Sequence, residues 1–324
     1  MKLTRRTFAG AIATAPAFTR VATAQAYPTR PITMIVPAGA GGPTDVFGRI
    51  MAEAMRRNFG QPVIVENVVG ADGSIGIGRA ARARPDGYTI DIGVMSTHVL
   101  NGAFYSLPYD LLNDFAPIAA LEKTALIMIG RKTLPAKDLP ELIAWLHANP
   151  NKASVAFAIA GIRLLATYLQ KQTETQFVLV PYRGTAPALQ DLVAGQIDLL
   201  FDTARTSLPL VRAGSIKAYA VTGDMRLTVA PDVPTFAEMG LPALSYIEWV
   251  GLFAPRGTPR EIIGRLNAAA VEALADPTVR ARIVEFGAEI VPLDQQTPEA
   301  LGALVKADAE KWWPIIKEFG IRAE

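Results

Sequence analysis

Ile32-Thr33-Met34-Ile35-Val36-Pro37-Ala38-Gly39-Ala40-Gly41-Gly42-Pro43-Thr44-Asp45 begins as an apolar run and passes through three glycines into a helix-starting pair. The apolar run predicts a buried strand, ended by Pro37 and the glycines. Thr44 or Asp45 supplies an oxygen to cap a helix running to Arg57. Val46, Phe47, Ile50, Met51 and Ala54 fall on its buried side. Strand, glycine turn and helix together make the first unit of an α/β fold.

The same alternation continues outward. Strands are expected at Pro62–Val69 and Thr89–Met95, with a helix at Ser74–Ala83 between them. A second block repeats the pattern, with strands at Ala125–Gly130, Ser154–Ile159, Phe177–Val180, Ile197–Phe201 and Ile216–Val221. Its helices are expected at Leu139–Ala148, Leu164–Lys171 and Ala186–Ala194. Val250–Ala254 returns to an apolar strand, and three helical patterns follow, starting near Pro259, Pro277 and Pro298. A chain that leaves one lobe, builds a second and returns places a hinge near 122–128 and 244–252. The expected division is 27–125 with 247–324 in lobe 1 and 126–246 in lobe 2, each an α/β layer. At 324 residues, about two domains are expected.

Composition narrows the function. Half of the residues are hydrophobic and 19% are charged, which is enough apolar material for real cores. Lys2, Arg5, Arg6 and Arg20 stand in the first 26 residues without an acid, so the remaining chain carries a formal charge of −2. A slightly acidic chain is a poor partner for nucleic acid. The absence of cysteine excludes disulfides, thiolate nucleophiles and a lipoprotein anchor. His98 and His147 are the only histidines, so no helix carries a metal-binding His pair. No metal and no cofactor are expected.

Met1–Ala26 reads as a signal peptide, with basic residues, an apolar stretch from Phe8 to Phe18 and a small-x-small site at Ala24-Gln25-Ala26. Thr4-Arg5-Arg6-Thr7-Phe8 fits a twin-arginine signal and an ordinary secretory signal equally well. The apolar stretch is shorter than the ~20 residues of a membrane span. The mature chain is therefore expected in the periplasm, soluble and monomeric.

Two readings fit the glycine-rich loop. Backbone N–H groups before a helix start suit a carboxylate or phosphate. A tight turn closed by Asp45 accounts for the same residues. No Gly-Lys-Ser/Thr follows, so the loop is not a nucleotide P-loop. Gly76-Ile77-Gly78-Arg79-Ala80-Ala81 matches a dinucleotide pattern only in part, and small residues for close helix packing explain it better. No Gly-x-Ser-x-Gly elbow occurs, and His98 and Asp202 are the only modest bases. An enzyme is the least favoured function, behind a transport receptor and a sensory receptor.

Several blocks in order across 27–320 resemble the tripartite tricarboxylate transporter substrate-receptor family, also called TctC or Bug. They include Gly41-Gly42-Pro43-Thr44-Asp45, Val65-Glu66-Asn67, Pro85-Asp86-Gly87-Tyr88-Thr89 and Leu107-Pro108-Tyr109-Asp110. Val180-Pro181-Tyr182-Arg183-Gly184, Trp249-Val250-Gly251-Leu252-Phe253-Ala254-Pro255 and Gly257-Thr258-Pro259 continue the series. The resemblance implies a periplasmic-binding-protein-like fold, two α/β lobes with crossing hinge strands. It also implies capture of a small carboxylate and delivery to membrane permease subunits. Carried across, Ala38, Gly41, Gly42, Pro43 and Thr44 line the first lobe's side, with Thr97 and His98 near them. Thr185 and Ala186 approach from the second lobe, with Asp202 nearby.

One stretch departs from that pattern. The family's Ser- and Gly-rich second-lobe loop and its His-Leu pair are replaced by Phe157-Ala158-Ile159-Ala160-Gly161-Ile162-Arg163-Leu164-Leu165. This version is shorter and lacks hydroxyls. Gly161 and Arg163 remain ligand-lining candidates: Arg163 either forms an ion pair with the solute or covers the lobe surface.

Overall fold

The computed structural model describes residues 27–182, 184–285 and 288–320. The expected signal peptide and Arg183 lie outside the described residues. The chain forms β1 (Ile32–Val36), α1 (Pro43–Phe59), β2 (Val63–Asn67), α2 (Ser74–Ala81) and β3 (Thr89–Val94). A π-helical turn at Ser96–Leu100 runs into α3 (Asn101–Phe104). Next come β4 (Phe115–Arg131), α4 (Leu139–Ala148), β5 (Ser154–Phe157), α5 (Ala160–Thr173), β6 (Val178–Pro181) and α6 (Thr185–Ala194). The element list ends with β7 (Leu199–Thr203), α7 (Ala204–Arg212), β8 (Ile216–Val221), β9 (Ile247–Pro255), α8 (Arg260–Ala275), α9 (Pro277–Glu285), β10 (Glu289–Ile290) and α10 (Pro298–Glu318).

The strands follow the order β2-β1-β3-β9-β4-β7-β5-β6, with β8 and β10 also on β4. β1, β2 and β3 are mutually parallel, as are β5, β6 and β7. β4 holds the two halves together. Its Phe115–Ala125 portion pairs antiparallel with β9, and its Leu126–Arg131 portion pairs with β7 and β8. The protein is thus two α/β lobes joined by the crossing strands β4 and β9.

Local chemistry explains the first unit. Phe47, Ile50, Met51, Ala54, Met55 and Phe59 of α1 recur at helical spacing and pack against β1 and α8 residues such as Met34, Val36, Leu266 and Ala270. Each such side chain contributes about 1.5–3 kcal/mol when fully buried. The helix ends at Gly60, where φ is 64° and the amide donates to Arg56 O at 3.0 Å. A left-handed residue there favours glycine.

The glycines of α2 serve packing. A Cβ at Gly76 would lie 2.6 Å from Val68 O, and one at Gly78 would lie 2.8 Å from the Tyr109 ring. Several elements differ from the sequence reading, which expected neither α3 nor β10. β4 begins ten residues earlier than expected, at Phe115, and α5 starts four residues early at Ala160. α7 has no counterpart in the reading.

α10 spans both lobes. The Trp313 indole donates to Val99 O at 2.8 Å in the first lobe, and Trp249 donates to Asp308 Oδ2 at 2.7 Å. Further along, Trp312 meets Tyr168 of α5 edge-to-face at 6.4 Å, and Lys171 pairs with Glu318.

Candidate functional site

In each lobe the parallel strands end on the same side, and those ends feed the loops that carry the site candidates. The lobes approach closely at the first turn of α5. Gly161, in the first turn of α5, lies against Ser96, just past the end of β3, and against Tyr246 at the start of β9. A Cβ at 161 would overlap the Tyr246 hydroxyl and stand 3.1 Å from Ser96 Oγ. The carboxyl ends of the two sets of strands therefore face each other across the gap, where open α/β sheets bind ligands.

On the first-lobe side, Gly39, Ala40, Gly41 and Pro43 are exposed, and Ala38, Gly42 and Thr44 are half-buried. Asp45 is buried and organises them. Its Oδ2 accepts the Gly41 amide hydrogen at 2.8 Å and Arg49 Nε at 3.0 Å, while Oδ1 accepts from Asn67 Nδ2 at 2.8 Å. Asn67 also donates to Ala38 O at 3.0 Å. Burial works against ionisation of Asp45, but the bonds from Arg49, Gly41 and Asn67 outweigh it and hold the carboxyl at about 2. The capping-turn reading thus describes Gly41, whose amide is already taken. Thr44 and Asp45 amides fall in the first turn of α1, where no intrahelical carbonyl reaches them.

On the second-lobe side two helices begin with no acid in the first turn and no side-chain cap. α5 opens behind Ile159, with Ile162 and Arg163 amides returning to Ile159 O. α6 opens behind Gly184, with Thr185 half-buried and Ala186 exposed. The Ala160, Gly161, Thr185 and Ala186 amides occupy the positions left without intrahelical partners. Such ends favour anions. Arg163 is half-buried, 5.6 Å from the Phe157 ring centroid. Its charge reaches the first lobe, where it offsets part of the rise that burial and Asp72 impose on the Tyr105 phenol.

Thr97, His98 and Asp202 take other roles. His98 is 0% exposed, stacked on Phe253 at 4.0 Å between centroids and 16° between planes. Its Nε2 lies 3.2 Å from Asp91 Oδ1 and its Nδ1 lies 3.2 Å from Thr97 Oγ1. Burial raises the Asp91 carboxyl, and the nearby His98 opposes the rise. The expectation that His98 lines the ligand is therefore corrected, because the ring faces inward beneath Gly93 and is enclosed by aromatics. Thr97 closes a turn with Val94 through both its donor and its acceptor. Asp202 is buried and accepts the Thr206 hydroxyl and, at 2.8 Å, the Ser207 hydroxyl, so it anchors the start of α7. Burial raises its carboxyl, and those bonds oppose the shift.

Glu248 escaped sequence reasoning. Its Oε1 accepts the Ser96 amide and hydroxyl hydrogens, each at 3.2 Å, and its Oε2 accepts from Tyr246. No local motif marks a contact spanning 152 residues. Among the described residues no group of three or more His, Cys, Asp or Glu side chains could hold a metal ion. No described helix is long and apolar enough to cross a membrane.

Comparison with known proteins matches residues 47–321 to the family described as "Tripartite tricarboxylate transporter family receptor". An Agrobacterium vitis protein, "UPF0065 protein in the TAR-I ttuE-ttuC' intergenic region", is 37% identical over 318 residues, covering 97% of this chain and 91% of the relative. Among solved structures, the periplasmic binding protein BugD is 36% identical with a TM-score of 0.82, covering 92% of this chain and 100% of its own. MatC from Rhodopseudomonas palustris, solved with bound malate, is 37% identical with a TM-score of 0.82, covering 90% and 100%. The R. palustris protein Rpa4515, solved with adipate, is 31% identical with a TM-score of 0.83, covering 91% and 99%. The fold and the sequence agree, and the chain belongs to the tripartite tricarboxylate transporter receptor family.

Proposed function

We propose that this receptor captures a small carboxylate-bearing solute between its lobes outside the cytoplasm, and delivers it to the membrane permease subunits of a tripartite tricarboxylate-type transporter. The lobes are assigned as 27–125 with 247–324 and as 126–246, acting as a monomer. The observation that carries the reading is the uncapped, acid-free start of α5 at Ala160–Gly161, lying against Ser96 just past the end of β3, with a second such start at Thr185–Ala186 in the same lobe. Malate and adipate in two relatives support the ligand class. Ala38, Gly42, Pro43 and Thr44 provide the first-lobe wall, and Arg163, in the first turn of α5, is the described cation assigned to the carboxylate. Thr97 and His98 pack behind the first-lobe strand ends, and Asp202 anchors the start of α7.

The test is calorimetric titration of residues 27–324, stripped of solute by unfolding and refolding, against malate, adipate, citrate, acidic amino acids and aromatic acids. Saturable binding of one acid class with compaction in solution scattering is expected. Binding of none of them would overturn the reading.

A further inference from the structure

We propose that Glu248 is a positioning residue for solute capture, tying the Ser96 turn of the first lobe to the Tyr246 hydroxyl on which the Gly161 turn of the second lobe closes. This rests on the capture reading above and adds a residue on the hinge. Glu248 stands on β9 opposite Thr124 of β4, so it belongs to the crossing strands rather than to either wall of the gap.

Three donors converge on its two oxygens: the Ser96 amide, the Ser96 hydroxyl and the Tyr246 hydroxyl. Tyr246 is only 1% exposed. Its backbone is fixed to the second lobe, its amide donating to Thr222 O at 2.9 Å and its carbonyl accepting from Thr222 Oγ1 at 2.6 Å. Its ring meets Trp312 of α10 at 5.6 Å and 64°. The phenol can therefore turn little, and its oxygen defines how closely α5 approaches. The residue that meets it is Gly161, where any Cβ would overlap that oxygen.

The consequence is a chain of contacts that crosses the hinge. Ser96 lies at the end of β3, and Gly161 carries one of the α5 amides left without an intrahelical partner. Glu248 sets the relative position of these two segments without touching the gap between the helix starts. The ionisable groups around it are Tyr246, just before β9, and Asp308 on α10, the latter accompanied by Lys311. The turn at Ser96 contributes only neutral donors. The link therefore depends on the acceptor geometry of the carboxylate.

The experiment compares wild type with Glu248→Gln, Tyr246→Phe, their double variant, Gly161→Ala and Gly161→Ala/Tyr246→Phe. Malate and adipate serve as probes, or whichever acid of the panel binds wild type. Glu248→Gln and Tyr246→Phe should each weaken binding about tenfold, the worth of one well-placed hydrogen bond to a charged group. The double variant should lose no more than either single one, because both cut the same link. Gly161→Ala should lose at least as much, and removing the Tyr246 oxygen in the combined variant should recover part of the loss. Denaturant midpoints of the solute-free proteins separate this from general damage, since a purely structural role predicts lowered midpoints with unchanged affinity per folded molecule in Glu248→Gln and Tyr246→Phe. Wild-type affinity in Glu248→Gln, additive losses in its double variant, or no recovery in Gly161→Ala/Tyr246→Phe would overturn the assignment. Failure of wild type to bind any acid would instead overturn the capture reading, and this assignment with it.

Discussion

The Gly41 amide donates to the Asp45 carboxylate at 2.8 Å, so an acid in the first turn of α1 also fixes the loop in front of it. Asp45→Ala leaves Gly41, Asn67 and Arg49 without their acceptor. Loss of these bonds to a buried carboxylate should cost about 1–3 kcal/mol in urea unfolding. Solute affinity should also fall, because the first-lobe wall is no longer held, and calorimetry on the folded variant reads that loss. The Asp45 carboxyl is held at about 2, below its unfolded range near 4. Its stabilisation is thus complete above about pH 4 and disappears as pH falls from there through 2. Asp45→Asn should flatten that acid limb. An unchanged limb would show that the carboxylate does not hold the loop.

Glu122 gives the opposite pH dependence. It is 9% exposed with Oε2 unpartnered, and burial pushes its carboxyl up to about 8 from an ordinary 4.5. The folded state then holds a proton that the unfolded chain releases, so stability falls as pH rises from about 4.5 to 8. Between pH 5 and 8, wild type should lose on the order of a few kcal/mol more stability than Glu122→Gln. Denaturant midpoints at the two pH values check this, and parallel slopes for both proteins would count against it.

His98→Ala should destabilise the protein by about 2–4 kcal/mol, because it opens a cavity under Phe253 and leaves Asp91 without its neighbour. Per folded molecule, solute affinity should stay within about twofold, since the ring is enclosed in the first lobe. A large affinity loss with unchanged unfolding would return His98 to the binding wall.

Arg163→Ala should weaken binding of a carboxylate by roughly 10- to 100-fold if the guanidinium pairs with the solute, as a charge-assisted bond does. Arg163→Lys should restore only part, because the planar fork is lost. Equal affinities for Arg163→Ala and wild type would assign the residue to the lobe surface.

The first unit was legible because its signals agree. An apolar run, three glycines and a first-turn acid all point to one strand–turn–helix; the N-cap is Gly42 rather than Thr44 or Asp45, and Asp45, inside the first turn, closes the loop onto Gly41. The early part of β4 was not legible. Phe115–Thr124 contains Pro117, and its pairing with β9 shifts register at Pro117/Ala119 and at Ala120/Glu122, so side-chain alternation is broken where the strand is longest. His98 was misplaced for a different reason. A polar residue at a strand end reads the same whether it points into the gap or into the core, and only the fold brings Asp91, Phe115 and Phe253 around it. α7 carries Pro209 and a polar face, which hides its helical period in the sequence. Glu248 was invisible because its partners are distant in the chain.

The reach of α10 across the lobes has a practical side. Under the proposed capture, parting of the lobes would make the Tyr168–Trp312 contact and the Lys171–Glu318 pair slide or break, because α5 belongs to one assigned lobe and the root of α10 packs on the other. The last turn of α10 is therefore a natural place to report such a movement. A donor dye at position 171 and an acceptor at 318 would translate solute arrival into a colour ratio, making the receptor an optical sensor for whatever acid it carries.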